Sequence, residues 1–196
     1  MMSRCVFKQR TTKETDISVK LELDGSGKSD IDTGVAFFDH MLDGFARHGL
    51  FDLEVRCRGD IEVDCHHTVE DCGIVLGTAI AEVVGEKKGI KRFGNFILPM
   101  DDALVLSAID LSGRPYLDFR LDFKNEKCGA METDLFREFF YALSYSAMMN
   151  IHIQKLAGEN DHHIAEAAFK SFAKSLDMAV SFDERITGVL STKGTL

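Results

Sequence analysis

DCHHTVEDCG (residues 64–73) and NDHHIAEAAF (residues 160–169) contain the same cluster, two adjacent histidines followed by a glutamate three residues after the second. The clusters begin at His66 and at His162, 96 residues apart in a chain of 196 residues. Each one opens a segment whose apolar residues recur with helical spacing. A motif repeated at half the length of the chain indicates an internal duplication.

The repeated cluster is typical of a metal site, because imidazole nitrogen and carboxylate oxygen both bind divalent transition ions. Residues four apart share one face of a helix, which pairs His66 with Glu70 and His162 with Glu166. The second histidine of each pair points roughly 100° away, so adjacent histidines are expected to serve different ions. Two further histidines can complete the ligand sets. The predicted metal ligands are His40, His66, His67, Glu70, His152, His162, His163 and Glu166.

Composition limits the classes of protein that this chain can be. A hydrophobic content of 45% fits a globular protein, and no apolar run approaches the roughly 18 residues that a membrane span needs. The polar amino-terminal residues predict no secretion signal, and five cysteines without a zinc-type pair predict reduced thiols, so we expect a cytosolic protein. Cys65 and Cys72 flank the first cluster, but no cysteine flanks the second, which favours nitrogen and oxygen ligands. A net charge of −9 argues against nucleic acid as the main partner.

Periodicity along the chain predicts a duplicated α+β fold, with each sheet covered on one face by helices and the halves packed through their helices. Residues 6–25 alternate as a strand does, and we expect them to form a hairpin with residues 29–37. In the second half, residues 104–113 and 116–123 are predicted to be paired strands. The predicted halves are residues 1–95 and residues 96–196, together one compact domain.

Several basic or hydroxyl residues have no role in these clusters and could bind an anion. Arg114 lies in a Gly-Arg-Pro turn, and the tail ends in a Ser-Thr-Lys-Gly segment. In an acidic chain, such donors are suited to a phosphate group. The candidates are Arg92, Arg114, Lys170, Ser191 and Lys193.

The chain resembles the imidazoleglycerol-phosphate dehydratase family of histidine biosynthesis in six separated segments. These segments occur in the family's order and extend over nearly the whole chain. They are FFDHMLDGFARHGLFDL, GDIEVDCHHTVEDCGIVLG, KKGIKRFG, DLSGRPYL, LAGENDHHIAEAAFKSFA and the STKG tail. The resemblance implies a manganese-dependent hydro-lyase that converts D-erythro-imidazoleglycerol phosphate to imidazole acetol phosphate. It also implies halves similar to domain 2 of ribosomal protein S5, and a homo-oligomer of 24 subunits built from trimers, with active sites between neighbours.

The family's ligand sets, carried over by position, imply two Mn²⁺ ions per subunit. One ion would be held by His40, His66, Glu70 and a neighbour's copy of His163. The other would be held by His152, His162, Glu166 and a neighbour's copy of His67. The resemblance further implies that Glu14 transfers a proton, that His48 and Lys170 contact substrate, and that Arg92, Arg114, Ser191 and Lys193 bind its phosphate.

Three other classes use some of the same features. A metal-storage protein of the di-iron bundle type would have Glu-x-x-His motifs on long helices, whereas this chain has His-x-x-Glu and alternates strands with helices. A metalloprotease would need His-Glu-x-x-His or its inverted form, and neither is present. An RNA-associated module would rest on fold analogy alone, and the net charge opposes it.

Overall fold

The structure is a computed structural model that describes residues 4–196, and within them the chain forms two four-stranded sheets and four long helices. The first half contains strands and helices in the order β1 (Cys5–Thr11), β2 (Thr15–Glu22), β3 (Ser29–Asp32), α1 (Ala36–Gly49), β4 (Asp52–Gly59) and α2 (His66–Val84). The second half contains β5 (Phe93–Met100), β6 (Ala103–Asp110), β7 (Tyr116–Arg120), β8 (Lys127–Cys128), β9 (Met131–Glu132), α3 (Asp134–Ala147), β10 (Asn150–Ala157) and α4 (Asp161–Val180).

The two sheets have the same topology. In the first sheet the order is β1-β2-β4-β3, with β3 parallel to β4 and the other neighbours antiparallel. In the second sheet the order is β5-β6-β10-β7, with β7 parallel to β10. The second half adds only the short β8–β9 hairpin before its first helix. The predicted duplicated α+β fold is therefore confirmed.

The halves meet through their helices, because α2 packs against α3 and α1 against α4. Small residues allow α2 and α3 to approach closely. A Cβ atom added at Gly73 or at Gly77 would lie 2.7 Å from a carbonyl oxygen of α3. Phenylalanines fill the space between α3 and α4, where the rings of Phe139 and Phe169 stack with centroids 5.2 Å apart. Burying such rings is a main source of stability in a core of this size.

Two predictions of strand pairing are wrong. Residues 6–25 do not form one strand, because the chain turns at residues 12–14 and β1 pairs with β2. The next strand, β3, pairs with β4 across α1. In the second half, β10 lies between β6 and β7, so these two strands are not neighbours. Alternation shows that a segment is a strand, but it does not show which strand lies beside it.

The predicted division between residues 95 and 96 falls inside β5, the first strand of the second sheet. The division into two domains stays a prediction. None of the helices within residues 4–196 combines the length and the apolar character that crossing a membrane requires. All five cysteines are free thiols.

Candidate metal centre and anion cavity

The first two turns of α1 and of α4 bring three potential metal ligands together. The Nε2 atom of His162 lies 3.4 Å from Oε2 of Glu166, and Nε2 of His40 lies 3.9 Å from Oε1 of the same carboxylate. One ligand atom from each residue lies within 4.8 Å of the other two. Two donors bound to one ion at about 2.1 Å lie at most about 4.2 Å apart, so a small movement of these side chains would suffice to hold an ion.

Local capping fixes the start of α4, from which two of these ligands project. The side-chain oxygen of Asn160 accepts hydrogen bonds from the backbone N–H groups of His162 and His163, at 3.0 and 3.4 Å. This N-cap sets where the helix begins and therefore which residues occupy its first turn. The ring of Phe37 meets the ring of His162 edge-on, with centroids 5.2 Å apart. The face that carries these candidate ligands is thus bordered by an aromatic ring.

Glu166 is a buried carboxylate with 8% of its surface exposed. Burial alone would raise its pKa, but the hydrogen bond and charge of the Lys170 ammonium outweigh this effect, and the pKa is lowered. The Nζ atom of Lys170 lies 2.7 Å from Oε1 of Glu166. The carboxylate is thus ionised at neutral pH and available to a cation. Lys170, predicted to contact substrate, is next to this cluster.

The first cluster has the geometry that the spacing predicts. Nε2 of His66 lies 3.5 Å from Oε2 of Glu70, and the backbone N–H of His66 donates to Asp64 at 2.7 Å. The ring of His67 is turned away, with an angle of 85° between the two histidine rings. In the second cluster the corresponding angle is 86°. The second histidine of each pair therefore faces a different direction from the first.

His40 lies with the second cluster, whereas the resemblance placed it with His66 and Glu70. The reason is that α1 packs on α4, which places His40 beside Glu166. In the part of the chain that the structure describes, the one group of three candidate ligands consists of His40, His162 and Glu166.

His152 is separate from both clusters. On β10 the buried residues Ile151 and Ile153 face the helices, so His152 projects from the opposite face of the sheet. There its Nδ1 atom lies 3.5 Å from Asp118, and its ring lies 5.4 Å from that of Tyr116. Within one chain, His152 thus lies on the face of the sheet opposite to the helices that carry His40, His162 and Glu166.

His67 lies close to the predicted proton-transfer residue. Its Nε2 atom is 3.9 Å from Oε2 of Glu14, which lies in the turn between β1 and β2. The Nδ1 atom is 3.1 and 3.2 Å from the two carboxylate oxygens of Asp60. The hydrogen bond to Asp60, and then the charge of Glu14, raise the pKa of His67.

His163 has a similar environment in the second half. Its Nδ1 atom lies 2.6 Å from Oδ1 of Asp102, and its Nε2 atom lies 3.5 Å from Asp101. Backbone N–H groups of Glu159 and Asn160 also donate to Asp102, and together with His163 they lower its pKa. The sequence analysis missed Asp60, Asp101 and Asp102. Their only signal was acidic residues in turns near the histidine pairs.

Most of the predicted phosphate ligands line one cavity of about 660 Å³. Arg92, Arg114, Ser191 and Lys193 all border it, as does Arg185, which was not predicted. Arg92 is partly neutralised by Asp110, at 2.7 Å, and Arg185 is paired with Asp183. Among residues 4–196, the Arg114 guanidinium makes one long contact of 3.4 Å, to the carbonyl of Ser112, and keeps donors for a ligand.

His48, the remaining histidine, is near the carboxyl end of α1. Burial, and then the positive charges of Lys170 and Lys174, lower its pKa. A neutral imidazole can donate at one nitrogen and accept at the other. The charges of Lys170 and Glu166 both act on His48, so His48 lies on the side of the molecule that carries these two residues.

Comparison with known proteins connects this arrangement to one family. The family model described as imidazoleglycerol-phosphate dehydratase matches residues 33–176. Proteins of that name from Lachnoclostridium phytofermentans and Acetivibrio thermocellus are 58% and 57% identical to the chain, over all of it and all of each relative.

Solved structures agree with the sequence matches. The Staphylococcus aureus imidazoleglycerol-phosphate dehydratase has a TM-score of 0.83 at 37% identity, over 91% of this chain and 99% of that one. The Pyrococcus furiosus protein has a TM-score of 0.84 at 41% identity, over 96% of this chain and all of that one. With sequence and fold matched over nearly its full length, the chain belongs to the imidazoleglycerol-phosphate dehydratase family.

Proposed function

We propose that the chain removes water from D-erythro-imidazoleglycerol phosphate to give imidazole acetol phosphate, a step of histidine biosynthesis, and that the reaction depends on Mn²⁺. The observation that carries this proposal is the triad of His40, His162 and Glu166, in a chain that also has a basic cavity. An imidazole ring can bind a metal ion, and a phosphate group can bind in the basic cavity. Imidazoleglycerol phosphate contains both an imidazole ring and a phosphate group.

The residues present fit a divalent ion such as Mn²⁺. Nitrogen and carboxylate donors suit it, and Glu166 supplies a negative charge in a buried place. We assign one ion to His40, His162 and Glu166, and the second to His66 and Glu70. When bound, these ions would act as Lewis acids that stabilise negative charge on the substrate's imidazole ring.

Neither ligand set is complete within one chain, since one supplies three residues and the other two. His67, His152 and His163 are separate from both sets. We propose that they complete the sets of neighbouring subunits in an assembly of 24, built from trimers. Metal binding and assembly would then be linked equilibria. The five free thiols fit the cytosolic location that we propose with it.

The chain's own residues would bind, orient and move protons. Arg114, with its free donors, would hold the phosphate together with Arg92 and the hydroxyl-rich tail. Glu14 would move a proton between substrate and solvent, since its carboxylate lies beside His67. Lys170 and the neutral His48 would contact the substrate from the α1–α4 side. Remote phosphate contacts then orient the end of the substrate that reacts.

Two glutamine substitutions can separate metal binding from proton transfer. Glu14→Gln should abolish most turnover of imidazoleglycerol phosphate and leave bound Mn²⁺ unchanged, whereas Glu166→Gln should lower both. Glu54→Gln is the matched control, because Glu54 pairs only with Lys20 on the surface. Absence of turnover by the native chain with Mn²⁺ would overturn the proposed reaction. Normal turnover by Glu14→Gln would overturn the role of Glu14.

A further inference from the structure

The second histidine of each pair is held by an aspartate from outside its own helix. The Nδ1 atom of His67 lies 3.1 and 3.2 Å from the carboxylate oxygens of Asp60, and that of His163 lies 2.6 Å from Oδ1 of Asp102. An ionised carboxylate only accepts hydrogen bonds, so Nδ1 must carry the proton. In a neutral ring the lone pair then belongs to Nε2.

The Nε2 atom of His67 lies 3.9 Å from a carboxylate oxygen of Glu14, and that of His163 lies 3.5 Å from one of Asp101. Among residues 4–196, neither Nε2 atom makes a hydrogen bond. Both distances exceed those of strong hydrogen bonds. Both rings are therefore set in the tautomer that a metal ion requires at Nε2.

The two halves reach this arrangement from positions that are not equivalent in the fold. Asp60 follows β4, in the loop that leads into α2, whereas Asp102 is in the turn between β5 and β6. The turn of the first half that corresponds to Asp102 is the β1–β2 turn, which carries Glu14 instead. The aspartates are thus not a simple product of the duplication. In both halves an aspartate lies beside the Nδ1 atom of the second histidine, although the two aspartates come from different loops.

Both aspartates are fixed by contacts other than the histidines. Asp102 accepts hydrogen bonds from the backbone N–H groups of Glu159, at 2.7 Å, and Asn160, at 3.0 Å. The backbone N–H of Asp60 donates to the carbonyl of Glu14 at 3.1 Å. The carboxylate of Asp102 is thus held by the backbone, and the main chain of Asp60 is held beside the β1–β2 turn.

A purely stabilising ion pair is the competing explanation. The side chains of His67 and Asp60 are 35% and 30% exposed, and those of His163 and Asp102 are 26% and 41% exposed. Pairs exposed to this degree add little to stability, because solvent screens their attraction. Effects on metal affinity and on stability can therefore be told apart.

We propose that Asp60 and Asp102 are positioning residues that hold His67 and His163 with the proton on Nδ1, so that each Nε2 is presented to a divalent ion. The inference rests on the proposed function in one respect, that these histidines bind metal. Carboxylates that fix histidine ligands in this way commonly change metal affinity about 10- to 100-fold when removed.

Asparagine substitutions test the inference directly. In Asp60→Asn and Asp102→Asn the amide can turn an N–H group toward Nδ1, which favours the tautomer with the proton on Nε2. The chelator-stripped variants are titrated with Mn²⁺ in the absence of substrate, and the free ion is followed by electron paramagnetic resonance. Each variant should bind one ion per chain about 10- to 100-fold more weakly than the native chain. Melting temperatures of the metal-free proteins check the fold.

Glu62→Gln and Glu159→Gln are the matched controls, because each removes one negative charge close to the aspartate in question. Glu62 lies in the same loop as Asp60, and Glu159 lies beside Asp102 with its side chain paired to Lys124. Both should bind Mn²⁺ as the native chain does. Native affinity for both ions in both asparagine variants would overturn the inference and leave the proposed function intact. A native chain that binds no Mn²⁺ would overturn the proposed function, and this inference with it.

Discussion

Replacing Gly77 with alanine should destabilise the chain, because α2 and α3 touch at this position. An added Cβ atom would lie 2.7 Å from the carbonyl oxygen of Leu143 and 2.8 Å from Cβ of Ser146, whereas ordinary contacts are 3.4–4 Å. The helices would have to separate locally by roughly 0.7 Å. Neither contact is the far end of a flexible side chain, so the neighbouring helix cannot yield easily.

Two opposing effects set the size of the change. Alanine is favoured over glycine inside a helix by about 1 kcal/mol, and overpacking of a close contact costs about 1–3 kcal/mol. Gly77→Ala should therefore lower the free energy of unfolding by up to about 2 kcal/mol. Gly44→Ala is the control, because its added Cβ atom would have its nearest neighbour, Cγ of Lys170, at 4.0 Å. That variant should gain about 1 kcal/mol.

Denaturant unfolding of both metal-free variants, at one chain concentration, measures the difference between them. Metal and concentration must be fixed because both shift the apparent stability. Since the helix preference is common to both variants, their difference of about 1–3 kcal/mol reports the packing of α2 on α3. Equal stabilities would refute the close contact between the two halves.

Two further predictions concern the anion cavity and the response to acid. Arg114→Ala should lower kcat as well as raise KM for imidazoleglycerol phosphate, because phosphate binding energy orients the reacting end; unchanged steady-state kinetics would contradict the phosphate assignment. Hydrogen bonds from the backbone N–H groups of Lys28 and Ser26 lower the pKa of Asp52. Its contribution to stability is thus complete above the unfolded pKa of about 4 and is lost as the pH falls through the lower folded pKa. Asp52→Asn should therefore reduce the loss of stability as the pH falls below about 4, and an unchanged loss in urea unfolding would contradict this.

The sequence predicted the features of this chain that depend on local periodicity. The helices that begin at His66 and near His162, and the pairing of each first histidine with its glutamate, follow from a spacing of four residues on a helix. The duplication follows from the recurrence of the cluster. These features need no knowledge of contacts between distant parts of the chain.

Features that depend on such contacts were harder to predict. The position of His40 beside Glu166 follows from the packing of α1 on α4, and the separation of His152 from α4 follows from the sheet face on which it lies. The position of β10 between β6 and β7 also depends on contacts between residues that are far apart in the sequence. Asp60 and Asp102 were missed for the same reason, since each acts on a ring from another element.

We propose above that this chain is a metal-dependent dehydratase whose ions bind at the two histidine clusters. The most direct test is turnover of imidazoleglycerol phosphate by chelator-stripped protein before and after Mn²⁺ is added, with bound metal and particle size followed on the same samples. We expect no turnover without metal, and activity that rises with up to two ions per chain as a large assembly forms. Turnover that is the same with and without metal, or two bound ions and no turnover, would contradict it.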